Sequence, residues 1–280
     1  VASYIRPANL DEALEALGAQ HPVVLAGGTD FYPARVGRPL ADDVLDITGL
    51  DALKGIVSDG AGWRIGALAT WSELIRTPLP ACFDGLKQAA REVGGVQIQN
   101  AGTLCGNVCN ASPAADGVPN LLALDAAVEL ASARGVRRIP LGDFIVGNRK
   151  TVRRPDELVT ALVVPAPRHP ARSTFLKLGA RRYLVISIVM VAALIESAED
   201  GNVGAARVAV GACSAVAQRL PLLEAALAGK PIDDRLGGVV GPEHLAPLRP
   251  IDDMRGPATY RRDAALTLVR RALSELGSGR

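Results

Sequence analysis

Apolar residues at Leu10, Ala13, Leu14 and Leu17 fall at i, i+3, i+4 and i+7, the spacing that lines one face of an α-helix. Asn9 stands at the N-cap with Glu12 three residues on, a capping box, and this predicts a helix that ends near Gly18. Val23-Val24-Leu25 reads as a short buried strand running into Ala26-Gly27-Gly28-Thr29-Asp30, and the DVLDIT segment (43–48) offers another. Residues 1–54 therefore predict a compact α/β unit.

Trp63 to Ala69 predicts a strand, after which Thr70 caps a helix with Glu73 at its third position. Phe83 to Val93 is a second helical stretch, stopped by Gly94-Gly95. A long, polar, Gly-rich segment follows, then Leu121 to Leu124. A hairpin runs out along Ala127 to Ala131, turns at Arg134-Gly135 and returns along Val136 to Ile139. Leu158 to Val164 is another strand, closed by Pro165-Ala166-Pro167, so residues 55–170 form a second unit. Its irregular alternation of helix and strand points to an α+β fold rather than a parallel barrel.

Beyond the Pro-rich linker the pattern changes. Ser173 to Leu178, Ile186 to Ile195 and Arg207 to Ala212 predict a three-stranded antiparallel meander, with a turn at Glu199-Asp200-Gly201-Asn202. Two helices follow: Pro221 to Ala228, stopped by Gly229, and Thr259 to Leu276, led in by Pro257 with Leu266, Val269, Leu273 and Leu276 on one face. Residues 171–280 thus predict a sheet with helices on one side.

A chain of 280 residues, 49% hydrophobic and 21% charged, is that of a folded protein with room for more than one core. With only 4% aromatic residues, the core is built from Ala, Val, Leu and Ile. The formal charge of +2 points to no particular partner, and the basic run 149–154 has no interleaved aromatics to stack nucleic-acid bases. The longest uncharged run, Tyr183 to Ile195, is short of the roughly 20 apolar residues that span a bilayer. No basic-then-apolar leader opens the sequence, which predicts a cytoplasmic protein.

Conventional catalytic groups are sparse. His21 and His169 each precede proline, His244 lies in a polar linker, and none pairs recognisably with a nucleophile and an acid. Gly211-Ala212-Cys213-Ser214 lacks the G-x-S-x-G elbow. Cys105 and Cys109 are spaced C-x3-C without a second pair in sequence, so they read as small buried thiols like Cys82 and Cys213 rather than as metal ligands. Any redox chemistry would belong to a cofactor.

Two stretches suit one. Gln97 to Asp125 carries small or amide side chains at Asn100, Ala101, Gly102, Thr103, Gly106, Asn107, Asn110, Ala111 and Ser112. So bare a backbone is either a tight connection between core elements or a cradle whose N–H groups meet phosphate. The second stretch is the strand into Gly27-Gly28. There is neither a GxGxxG nor a GxxxxGK[ST] motif, but two such loops suit a diphosphate dinucleotide better than a single phosphate.

LAGGTDFYP (25–33) followed by QNAGTLCGNVCNASPAAD (99–116) resembles the FAD-binding medium subunit of the molybdenum hydroxylase family, and the resemblance covers the whole chain. It implies a two-part N-terminal FAD-binding domain and a C-terminal sheet-and-helix domain. It also implies pyrophosphate contacts from Leu25, Ala26, Gly27, Gly28, Thr29 and Asp30, and from Ala101, Thr103, Leu104, Cys105, Gly106 and Asn107. Asp116 would contact the ribose or adenosine end, Val159 the adenine, Lys177 the flavin, and Tyr183 to Ile186 the isoalloxazine face. Without a cofactor, Lys177 is a solvated strand residue and Tyr183 a core or domain-interface aromatic. The second motif departs from the family in one place: Cys105 replaces the first of two glycines, so backbone contact there falls to Gly106 and its neighbours.

The implied role is electron transfer, from a partner iron–sulfur small subunit and a molybdopterin large subunit, through FAD, to NAD+, O2 or another acceptor. An assembly scaffold of the same fold and a self-contained flavin reductase are the alternatives. Asp116 in an intact second motif favours the first, and the absence of a candidate proton donor counts against the reductase.

Overall fold

A computed structural model describes residues 2–37 and 39–279. The first unit contains β1 (Tyr4–Ile5), α1 (Leu10–Gln20), β2 (Val23–Leu25) and β3 (Val44–Asp46), with the strands parallel in the order β1-β3-β2. Asn9 caps α1 by accepting from the Glu12 amide at 3.0 Å, while the Glu12 carboxylate accepts from the Ala8 amide at 2.8 Å. The helix does not stop at Gly18. It runs two residues further, to Gln20, and the chain leaves at His21, in the left-handed region at φ 51°.

The second unit begins with β4 (Ile56–Ser58), β5 (Gly62–Gly66), α2 (Trp71–Arg76) and α3 (Asp84–Glu92). Three short helices then occupy the Gly-rich stretch: α4 (Val96–Ala101), α5 (Leu104–Asn110) and α6 (Gly117–Ala123). The stretch predicted as loop is thus largely helical, cornered by Gly94 (φ 56°) and by Ala111 (φ 47°). The hairpin of β6 (Ala127–Ser132) and β7 (Gly135–Pro140), α7 (Leu141–Phe144), the small pair β8 (Ile145–Gly147) and β9 (Lys150–Thr151), and β10 (Leu158–Pro165) complete the unit. Its sheet has the order β4-β5-β10-β6-β7 and is antiparallel throughout.

One carboxylate ties four of those strands together. Glu129 on β6 accepts from Arg64 Nη2 on β5 at 3.0 Å, Arg138 Nη2 on β7 at 2.9 Å and Thr160 Oγ1 on β10 at 2.9 Å. Burial alone would raise its pKa, but the hydrogen bonds from Arg138, Arg64 and Thr160 outweigh it and hold the carboxyl below its usual value. The stabilisation is therefore complete above the unfolded glutamate pKa of about 4.3 and is lost as pH falls through the lower folded value. Glu129→Gln is expected to cost about 2–3 kcal/mol at neutral pH, with the gap to the parent closing below about pH 4. Urea unfolding at a series of pH values checks this, and a gap independent of pH would refute it.

The third unit is a sheet of β11 (Ala171–Leu178), β12 (Val189–Ser197), β13 (Val203–Gly211) and β14 (Gln218–Arg219), in that order and antiparallel, followed by α8 (Pro221–Leu227) and α9 (Ala258–Ser278). The sequence predicts three strands. The fourth is two residues long, too short to show a period, and pairs with Ala209 and Val210. β12 is buried on both faces: Met190, Ala192 and Leu194 enter the core shared with the second unit, and Val189, Val191, Ala193 and Ile195 enter a second core with α8 and α9. Helices thus cover both faces, with α3 and α6 opposite α9, rather than one.

Candidate functional site

β2 delivers the first glycine loop to the surface, where Gly28 takes φ 71°, a conformation that costs other residues. A Cβ on Gly28 would stand 2.6 Å from the Tyr32 ring. At Gly27 the backbone is ordinary but the space is not: a Cβ there would overlap the carbonyl of Ala101, at the end of α4. The two loops therefore touch, glycine against backbone. Thr103 caps α5 by accepting from the Gly106 amide at 2.9 Å, and the Leu104 amide donates to the Ala69 carbonyl at 3.2 Å.

A groove runs between them. Its first cleft, about 460 Å3, is lined by Ala26, Gly27, Gly28, Thr29 and Asp30 from one loop and by Thr103, Gly106 and Asn107 from the other. Phe31, Trp71, Val93 and Ile98 supply apolar walls. A second cleft, about 320 Å3, shares Val23, Val24, Ala26, Gly106 and Cys109 with the first and continues to Cys105, Val159, Arg153 and Glu157. One elongated groove thus has a polar, glycine-bounded section and a more apolar end.

The other expected site residues lie elsewhere. Leu25 and Leu104 are buried in the core, and Ala101 contributes its carbonyl to the contact with Gly27. Asp116 is buried, with Lys177 Nζ at 2.6 Å from one carboxylate oxygen and Ser187 Oγ at 2.6 Å from the other. Burial pushes the Asp116 pKa up even with Lys177 beside it. This cluster joins the start of α6 to the third unit. Tyr183 is 62% exposed on the loop between β11 and β12 and lines neither cleft.

Cys105 occupies the place of the missing glycine without backbone strain, because it lies in the first turn of α5 in right-handed conformation. It is fully buried, and that burial holds its thiol well above the ordinary value. Two groove residues carry no sequence signal, Trp71 reading as the first residue of a helix and Glu157 lying on a connection, while Arg153 belongs to the basic run 149–154. Val23 and Val24 were traceable as the strand feeding the loop.

Two glycine loops bounding one elongated groove have the form of a dinucleotide-binding protein. The residues present fit FAD: small side chains line the polar section of the groove, and Asn107 Oδ1 is buried without a donor. Such an orphan costs about 1–3 kcal/mol, which a ligand hydroxyl reaching it would recover.

Residues 1–167 match the FAD binding domain in molybdopterin dehydrogenase, and residues 174–276 match the CO dehydrogenase flavoprotein C-terminal domain. The putative xanthine dehydrogenase FAD-binding subunit of Escherichia coli K12 is 31% identical, over 98% of this chain and 95% of that protein. Among solved structures, carbon monoxide dehydrogenase from Hydrogenophaga pseudoflava superposes with a TM-score of 0.89 at 27% identity, covering 98% of this chain and 96% of that one. Quinoline 2-oxidoreductase from Pseudomonas putida 86 gives a TM-score of 0.90 at 25% identity, covering 100% and 98%. The chain belongs to the FAD-binding subunits of the molybdenum hydroxylase family. It is a flavoprotein subunit of an oxidoreductase, and its cofactor is FAD.

No helix among the described residues is long and apolar enough to cross a membrane.

Proposed function

We propose that this chain is the electron-transfer subunit of a molybdenum hydroxylase complex, working beside an iron–sulfur small subunit and a molybdopterin large subunit in which the organic substrate is oxidised. When bound, FAD would supply the redox chemistry that links the iron–sulfur partner to NAD+, O2 or another acceptor. The protein's own residues bind and orient. Gly28 and Gly106 leave room for the pyrophosphate between the two loops, and Ala26 and Val159 line the end that suits the adenine. Asp116 and Lys177 act from behind this surface, holding the third unit and the Tyr183 loop against the second. The observation that carries the reading is the single groove bounded by both glycine loops, which a pure scaffold would not require.

The test uses the isolated chain and the assembled complex. The isolated chain is expected to purify yellow and to release intact FAD on acid precipitation, since no His or Cys stands in a recognisable attachment motif. Under anaerobic conditions purines, aldehydes, N-heteroaromatics and carbon monoxide are expected to leave the isolated flavin oxidised, while the substrate of the complex bleaches it in the assembly. Colourless protein would favour the scaffold, and bleaching of the isolated chain by any of these compounds would overturn the electron-transfer assignment.

A further inference from the structure

The more apolar end of the groove carries one cationic side chain, Arg153, on the connection between β9 and β10. Main chain fixes its position: Nη1 donates to the Glu157 carbonyl at 2.7 Å and to the Arg154 carbonyl at 3.2 Å. Neither acceptor is charged. Among the described residues Arg153 enters no ion pair, and its Nε and Nη2 make no hydrogen bond.

The carboxylate nearest in sequence is engaged elsewhere. Glu157 is buried, and its side chain accepts from Arg137 Nε at 2.6 Å, from Arg137 Nη2 at 2.8 Å and from the Arg154 amide at 2.8 Å. Burial alone would raise its pKa, but the hydrogen bonds from Arg137 and the Arg154 amide outweigh it and hold the carboxyl below its usual value. The Glu157 amide closes the turn on the Arg154 carbonyl at 3.1 Å. Residues 153–157 are thus locked by their own contacts, and the charge that Arg153 presents to the cleft is left uncompensated.

We infer that Arg153 contacts the adenine of FAD and sets this chain's preference for FAD over FMN. The inference rests on the cofactor reading proposed above. Adenine offers ring nitrogens as acceptors and a π face, and a guanidinium meets either, by donating N–H or by stacking its plane. The rest of the lining at this end, including Val24, Ala26, Ile47 and Val159, is aliphatic and accepts a flat ring without distinguishing it. FMN has no adenosine half, so it gains nothing from Arg153. A guanidinium already held by main-chain carbonyls loses little freedom on binding, and one side chain is then enough for a selective contact.

The experiment is titration of the full chain, freed of flavin, with FAD and with FMN, followed by flavin fluorescence in the parent, Arg153→Gln and Arg153→Lys, with thermal melts as the control for folding. Arg153→Gln is expected to lose about tenfold in FAD affinity while its FMN affinity stays at the parent value. Arg153→Lys should lose as much, because an ammonium has neither the plane nor the fork of a guanidinium. An equal loss for both flavins, or rescue by lysine, would place the charge on a phosphate and overturn the assignment. Parent-like FAD affinity in both variants would overturn this assignment alone. A parent chain that binds neither flavin would overturn the cofactor reading together with it.

Discussion

Gly27→Val is expected to yield a folded protein that retains almost no FAD. The added side chain would begin where the Ala101 carbonyl lies, and neither partner can yield cheaply, because both are backbone. The Ala101 segment is pinned in turn: the Gly102 amide donates to the Ile98 carbonyl at 2.7 Å, and the Gly102 carbonyl accepts from the Trp71 amide at 3.2 Å. The strain is therefore relieved by parting the two loops, which widens the groove and misplaces the amides of both. Losing two hydrogen bonds to a charged pyrophosphate corresponds to about 3 kcal/mol or more, over a hundredfold in affinity. Gly28→Ala should be milder, since its obstacle is the half-exposed Tyr32 ring, which can swing away, leaving mainly the cost of φ 71°. The flavin-to-protein ratio after gel filtration, with far-UV circular dichroism as the control for folding, measures both. Full flavin occupancy in Gly27→Val would defeat the two-loop account.

The second large effect is expected on stability. Lys177→Ala removes the cation from a buried pair and leaves Asp116 with Ser187 alone, a change that costs roughly 3–5 kcal/mol when the remaining charge has no route to water. For a chain of this size the melting temperature should fall by roughly 5–9 °C. The double change Lys177→Met with Asp116→Asn removes the charge altogether and should recover much of the loss, because a neutral, well-packed replacement often matches a buried ion pair. Thermal melts of parent, single and double variants decide the matter. If Lys177→Ala melts like the parent but loses flavin, the pair's work lies in touching the cofactor rather than in joining the units.

The sequence disclosed those parts of the molecule that rest on local chemistry. The caps at Asn9 with Glu12 and at Thr70 with Glu73 appear where their residue types require, and the hairpin around Gly135 is in place with its paired strands. The Gly-rich stretch was harder. Its helices are six or seven residues long, too short for a hydrophobic period, and α5 is announced only by Thr103 accepting from Gly106. The two glycine loops were visible as a pair, but their direct contact at Gly27 and Ala101 was not, since seventy-odd intervening residues carry no record of how the sheets fold back. The same holds for Asp116 and Lys177, 61 residues apart: the motif marks each as special without showing that they neutralise one another.

The strand β12 has a bearing on how such a chain can be rearranged. Because its successive side chains serve two different cores, with Met190, Ala192 and Leu194 meeting the second unit and Val189, Val191, Ala193 and Ile195 meeting α8 and α9, the C-terminal part is not an interchangeable cassette. A chimera joined at the proline-rich linker would have to import α3 and α6 along with the sheet or repack the surface where Pro119 and Met190 flank Gly211. Split at that linker, the two fragments would each expose half of a shared core, and their productive state would be reassociation with each other.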